Sequence, residues 1–306
     1  MRPGILVWQT MSEVMGALPP SLADKIARGL GAGVYYVWFT RRRVARENFA
    51  HVLNKPANDP QVGRVARSSF SNYTVYILNM LRYGRVTDDE FRRRVHFHIS
   101  PEMHALLKQD QPIIVVSAHF GNMDYAAPAA VDRYRPMTLA AETIKPVELF
   151  DHLAQMRSQH GVHLVPYDRA PRKIIEALKR KEIVGFLIDF GINAHKDINT
   201  VPVTFFGETT YFPSSPALLA QRYNAPLVVS FAHIGAGQDI HITIDPPIYV
   251  AREIPREQAE HETMQLVAER FEKAIVAHPE QWYVFRPMWP PSANGRPARL
   301  KRLSKK

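Results

Sequence analysis

Apolar residues along the chain keep a helical period first and then switch. Residues 1–50 read as helices, interrupted at Leu18-Pro19-Pro20-Ser21, with Ser21 placed to cap a helix that runs toward Gly31. A second helix is expected over 34–51. After a turn at Pro56–Pro60 a third is expected over 62–83, with Val65, Phe70, Tyr73, Ile77 and Leu81 on one stripe. Val95-His96-Phe97-His98-Ile99 then alternates, as a strand does, and Pro101 opens a short helix. From there apolar runs and helical stretches take turns. Strands are expected at 113–118, 137–141, 162–165, 183–188, 203–206, 227–233 and 239–244. Helices are expected at 122–131, 146–160, 171–181, 214–223 and 256–277.

This alternation predicts an α/β fold: a single domain whose mostly parallel central sheet is flanked by helices, with a helical N-terminal extension. Residues 1–100 would form the N-terminal part, 101–290 the core, and 291–306 a basic mobile tail.

Composition narrows the chemistry. The 306 residues are 46% hydrophobic, enough for a sizeable core. The absence of cysteine excludes disulfides, thiolate metal sites and cysteine nucleophiles. The 39 Lys and Arg against 29 Asp and Glu make a surface suited to polyanions, though the plainer reading is solvated charge. No secretory signal is expected, because Gln9, Ser12 and Glu13 break the first apolar run. The apolar stretch at 29–40 (GLGAGVYYVWFT) is well short of the ~20 residues a membrane span needs. Flanked by Arg28 and Arg41-Arg42-Arg43, it reads as a core helix, an interfacial element, or both.

The candidate chemistry begins at IIVVSAHFGNMD (residues 113–124). A buried strand delivers His119 to a turn, Gly121 permits the turn to be sharp, and a helix starts near Asn122. On a regular helix His119 and Asp124 would lie about 140° apart. They meet only if the histidine sits in the turn and the aspartate in the first helical turn. The N–H groups of such a helix start, around Gly121 and Asn122, would favour developing negative charge. The spacing is weak evidence by itself, since His163 and Asp168 repeat it.

Four segments in order carry more weight: HFGNMDYA, then LIDFG (187–191), then VPVTFFGETTYFPSSPALLAQ (201–221), then HPEQWYVFRPMW (278–289). Together with an R-x-N-F pattern at Arg46–Phe49 they resemble the lipid A biosynthesis acyltransferase-like family, within the wider lysophospholipid-type, glycerolipid acyltransferase-like group. That family includes lauroyl and myristoyl transferases and phosphatidylinositol mannoside acyltransferases. The resemblance implies acyl transfer from acyl-CoA or acyl carrier protein to a glycolipid hydroxyl, with no cofactor, at the cytoplasmic face of the inner membrane. It implies His119 as general base, Asp124 as the residue that orders the turn, and Glu208 of FFGE as the carboxylate paired with the histidine. The family usually has Trp at position 123, and its lipid A enzymes commonly have Glu at 124, where this chain has Met123 and Asp124; Asp124 looks more like the mannoside enzymes. LIDFG replaces a more acidic stretch. Asp189-Phe190-Gly191 resembles a kinase signature whose companion motifs are missing.

The remaining candidates are Arg172 and Lys173, which would meet phosphates or simply be solvated, and Arg286, which belongs to the C-terminal signature. His233 and His241 read as packing residues. His195 with Asp197 lacks a third ligand, so no metal is expected. The partners expected are an anionic membrane surface, the glycolipid and the acyl carrier, and not nucleic acid. An apolar groove lined by the helix after His119 and the helix at 214–223 would hold the acyl chain. Thioester hydrolysis without an acceptor, and a non-catalytic basic module that binds anionic lipid, are the competing readings.

Overall fold

The structure is a computed structural model and describes residues 3–167, 170–189, 191 and 198–290. The expectations for His195, Asp197, Asp168 and the 291–306 tail lie outside the described residues. The chain begins with four helices: α1 (Pro3–Ala17), α2 (Pro20–Val37), α3 (Phe39–Leu53) and α4 (Pro60–Arg82). After α5 (Asp88–Arg94) come β1 (Val95–His98), α6 (Pro101–Lys108), β2 (Ile113–Ser117), α7 (Met123–Arg133), β3 (Met137–Ala141) and α8 (Val147–Ser158). They are followed by β4 (Val162–Pro166), α9 (Ala170–Lys179), β5 (Ile183–Leu187), β6 (Thr200–Phe205), β7 (Glu208–Pro213) and α10 (Ser215–Tyr223). The chain then runs through β8 (Leu227–Ile234), β9 (Ile240–Ile244) and α11 (Arg256–Ala277).

Seven strands form one sheet in the order β1-β9-β8-β2-β5-β3-β4. Every neighbouring pair is parallel except β8 with β9. The expected α/β class with a mostly parallel sheet is therefore observed. In β2 the two faces alternate: Ile114 and Val116 join the core that includes Ala177, Ala217 and Phe271, whereas Ile113 packs with Leu106 and Leu107 of α6. The hairpin β6–β7 stands apart as a two-stranded antiparallel sheet. Phe206 and Gly207, both with positive φ, make its turn, as a two-residue hairpin requires. Its second strand, TTYFP, was not anticipated beyond FFGE.

The N-terminal helices differ from expectation at their boundaries, and the helix expected over 34–51 is divided at Trp38 between α2 and α3. Pro19, not Ser21, occupies the cap of α2, and α2 runs through Gly31 to a break at Trp38. Gly31 is a contact residue and not a helix end. Ala23, Ala27, Gly31 and Tyr35, spaced by four, form the buried face of α2, and α2 lies against α4. A Cβ on Gly31 would sit 2.5 Å from the backbone oxygen of Phe70. The apolar stripe on α4 is also wider than one face. Val62, Ala66, Phe70, Val75, Leu78 and Leu81 are all buried, because this helix has neighbours on several sides.

Candidate active site

The site follows from the register of two strands. β2 and β5 are parallel, and each residue of β2 from Ile113 to Ser117 faces the residue 70 positions later. Continued two residues past the strand ends, that register sets His119 beside Asp189. Side chains alternate along a strand, so His119 shares a face with Val115 and Ser117, and Asp189 with Gly185 and Leu187. All six line one cavity. The site lies outside the carboxyl ends of the strands, on either side of which the chain winds in opposite directions, the usual place for a ligand in an open α/β sheet.

The contact is direct. The Nδ1 atom of His119 is 2.8 Å from Oδ1 of Asp189, and the His119 backbone N–H donates to the same carboxylate. The indole N–H of Trp282 donates to Oδ2 at 2.9 Å. Asp189 is buried, while 43% of the His119 side chain is open because the cavity reaches it. Burial pushes the Asp189 carboxyl up, but the imidazole charge and these hydrogen bonds outweigh it and hold its pKa below the ordinary value. Burial likewise disfavours a charged His119, and the Asp189 carboxylate overcomes this, so the imidazole pKa is raised. A carboxylate on Nδ1 fixes the tautomer that presents the Nε2 lone pair.

The loop between β2 and α7 is clamped by backbone. The Tyr283 N–H donates to the His119 carbonyl, the Gly121 N–H to the Gln281 carbonyl, and the Asn122 N–H to the Ala232 carbonyl. Gly121 has φ +58°, and a Cβ there would drive into the Ala232 carbonyl oxygen. Gln281 exchanges side-chain hydrogen bonds with both backbone groups of Ile234. Asn48 donates to the carbonyls of Val284 and Arg286. The R-x-N-F and QW patterns thus serve one purpose: they hold the C-terminal segment against the histidine turn.

Several expected placements need correction. Glu208 does not pair with His119. It opens β7, and its carboxylate lies 3.4 Å from Nδ1 of His51 on α3. The carboxylate on the catalytic candidate is Asp189, in the segment whose resemblance to a kinase signature gave no function. Asp124 is not at the imidazole either. It accepts from Tyr76 Oη (2.6 Å) and Arg157 Nε (2.6 Å), tying α7 to α4 and α8. The N–H groups of Gly121 and Asn122 are spent on carbonyls, so they are not the oxyanion donors. Asn122 instead caps α7, its side chain accepting from the Tyr125 N–H. Arg286 does come to the cavity, paired with Glu142 at 2.9 Å. Arg172 does not: it is exposed on α9, paired with Glu176.

The cavity has a volume of about 670 Å³. The charges of Arg286 and Glu142 act on His119, and Arg41 and Lys145 also line the cavity. Away from His119 the walls are apolar, with Leu139, Met137 and Ile183 from the sheet and Ala127 and Ala130 from α7. From Asp189 back to Ile183 is six residues of extended chain, about 20 Å. The expected wall from the helix at 214–223 is absent among the described residues, because α10 packs on the other face of the sheet with Ile114 and Phe271. No group of three or more described His, Cys, Asp or Glu residues is placed to hold a metal.

The chain is 26% identical over 283 residues to a phosphatidylinositol mannoside acyltransferase of Mycolicibacterium smegmatis, covering 90% of this chain and 88% of that one. It is 27% identical over 258 residues to one of Mycobacterium tuberculosis, covering 80% and 76%. Among solved structures, the 1-acyl-sn-glycerophosphate (LPA) acyltransferase PlsC from Thermotoga maritima is similar at 17% identity and a TM-score of 0.34, covering 81% of this chain and 98% of that one. The sequence pattern of bacterial lipid A biosynthesis acyltransferases matches residues 4–290, and the chain belongs to that family.

Proposed function

We propose that this acyltransferase moves a fatty acyl chain from an acyl thioester to a hydroxyl of a membrane glycolipid of the phosphatidylinositol mannoside kind. The observation that carries this reading is the His119–Asp189 pair at the polar end of a long apolar cavity. His119 Nε2 takes the proton of the acceptor hydroxyl as its oxygen attacks the thioester carbonyl. Asp189 stabilises the imidazolium that forms. The tetrahedral intermediate collapses, the C–S bond breaks, and the leaving thiolate receives the proton from His119. No acyl-enzyme is needed. Arg286 puts positive charge near the reacting groups, and the apolar walls take the acyl chain. The likeness to the two mannoside acyltransferases supports the choice of acceptor.

The substrate side faces a membrane in this reading. Leu6, Val7, Met11 and Val14 of α1 are exposed, as are Leu30, Val37 and Trp38 toward the end of α2, with Arg28 and Arg41 flanking them in the sequence. Exposed apolar and aromatic side chains next to arginines suit a bilayer interface. No helix among the described residues is long and apolar enough to cross a membrane. The test is thiol release from acyl-CoA with and without phosphatidylinositol mannoside. Acceptor-dependent release that falls by about 10²–10⁴-fold in His119→Ala is expected. Release that ignores the acceptor would make the protein a hydrolase, and full activity in His119→Ala would overturn the mechanism.

A further inference from the structure

A second concavity, of about 810 Å³, lies between α2, α3 and the start of α4. It adjoins the catalytic cavity across the α2–α3 junction: Tyr36, Phe39 and Arg42 line the groove, whereas Trp38 and Arg41 line the cavity. Five arginines line the groove, Arg42, Arg43, Arg46, Arg64 and Arg67, against one carboxylate, Glu47. Glu47 is engaged by Arg43 at the exposed rim. Among the described residues Arg42, Arg46, Arg64 and Arg67 have no carboxylate within ion-pair distance. Arg42 and Arg67 reach only the carbonyl and the hydroxyl of Tyr36.

Arg46 is held in place. Its Nε donates to the Ala57 carbonyl (2.7 Å) and its Nη1 to the Tyr35 hydroxyl (3.3 Å). Gly63 makes room for it, since a Cβ there would lie 2.9 Å from Nη1. Aromatic faces complete the groove: the Arg42 guanidinium stands 4.8 Å over the Phe39 ring, and Tyr36 is half exposed. Guanidinium groups crowded without counter-charges repel one another, and an anion with several oxygens relieves this.

We propose that this groove binds the nucleotide end of an acyl-CoA donor. The arginines take its diphosphate and 3′-phosphate as charge-assisted forks, and the adenine lies on an exposed ring of Phe39 or Tyr36. The pantetheine arm then crosses the junction at Trp38 and Arg41 and carries the thioester to His119. The groove sets cations beside ring faces, which a nucleotide carrying both phosphates and a base matches, whereas an anionic lipid headgroup or an acidic carrier protein matches the charge alone. The inference rests on the proposed thioester chemistry only in supplying the donor.

The test uses the full chain with CoA, dephospho-CoA and phosphatidylglycerol/phosphatidylcholine vesicles. Arg64 and Arg67 are exposed, so the double variant Arg64→Ala/Arg67→Ala is expected to keep the wild-type circular dichroism and melting temperature, and single Arg67→Ala serves if it does not. CoA should bind wild type and His119→Ala equally, and dephospho-CoA more weakly. The double variant should lose affinity on the order of tenfold or more, the cost of two charged hydrogen bonds. Its KM for acyl-CoA should rise with kcat nearly kept. Unchanged CoA affinity overturns the proposal. So does a loss confined to vesicle binding, which would make the groove a membrane contact, or a loss seen only with an acyl carrier protein donor. Full transfer by His119→Ala with CoA binding still lost in the double variant would refute the catalytic reading and leave the groove standing.

Discussion

At the scale of single residues, the histidine's carboxylate partner sets when the imidazole is neutral. The Asp189 carboxylate outweighs burial and lifts the His119 pKa above its ordinary 6.5. A general base must be deprotonated, so kcat/KM should rise with pH through an acid limb centred above 6.5. Asp189→Asn removes the stabilising charge. The limb should move to lower pH while the plateau falls by about 10²–10⁴-fold; a pH–rate profile of both proteins checks this. Glu208→Gln, which disturbs only the contact with His51, should leave the limb where it is. The same pair acts on stability. The raised His119 contributes fully below pH 6.5 and is lost as pH rises through its folded pKa. The depressed Asp189 contributes above its unfolded value of 3.8 and is lost as pH falls through its folded pKa. The pair therefore stabilises the fold most between about pH 4 and 6.5, below the pH at which the base works best.

At the scale of elements, two helix contacts decide whether the site stays assembled. Asp124 and Arg157 are both nearly buried, and with Tyr76 they join α7, α8 and α4. Asp124→Ala leaves the Arg157 guanidinium buried without a carboxylate and should cost about 3–5 kcal/mol, read by urea denaturation. Arg157→Met in the Asp124→Ala background should recover much of that loss. The family aspartate thus acts on helix placement, and its effect on activity follows from that. Gly31 sets how closely α2 approaches α4. Gly31→Ala presses a methyl onto the Phe70 carbonyl and should destabilise by about 1–3 kcal/mol, measured by the same method. Read along the sequence, Gly31 resembles a helix end, because a glycine's local preference is the same whether it stops a helix or lets another one near.

At the scale of the whole molecule, the cavity joins a polar end at His119 to an apolar end under α7. If the apolar end holds the acyl chain, its length limits the substrate. Ala127→Phe fills part of that space. Losing room for about four methylenes costs about 3 kcal/mol, so the kcat/KM ratio of long to short acyl-CoA chains should fall by about 100-fold, while the shortest substrates keep their rate. Competition kinetics with donors of graded length gives the ratio.

Most of the strand and helix order, the parallel sheet, His119 in its strand-to-helix turn, the acyltransferase family and the basic N-terminal helices were legible in the sequence, whereas α5 and β7 were not. The legible features are local: side-chain period, β-branched runs, a glycine turn and short motifs survive in one dimension. The partner of His119 was not. Asp189 lies 70 residues away, and only the register of β5 on β2 and the shared face of alternate residues bring it to the imidazole. One signal was available, since Ile113–Ser117 and Ile183–Leu187 are apolar strands of equal length, each followed two residues on by a polar candidate. Nothing in the sequence shows that those two strands are neighbours. Strand adjacency is decided by how the whole sheet buries its faces. For the same reason Glu208, reached through a hairpin, went to His51, and Asp124, close in sequence to His119, turned away to Arg157 and Tyr76.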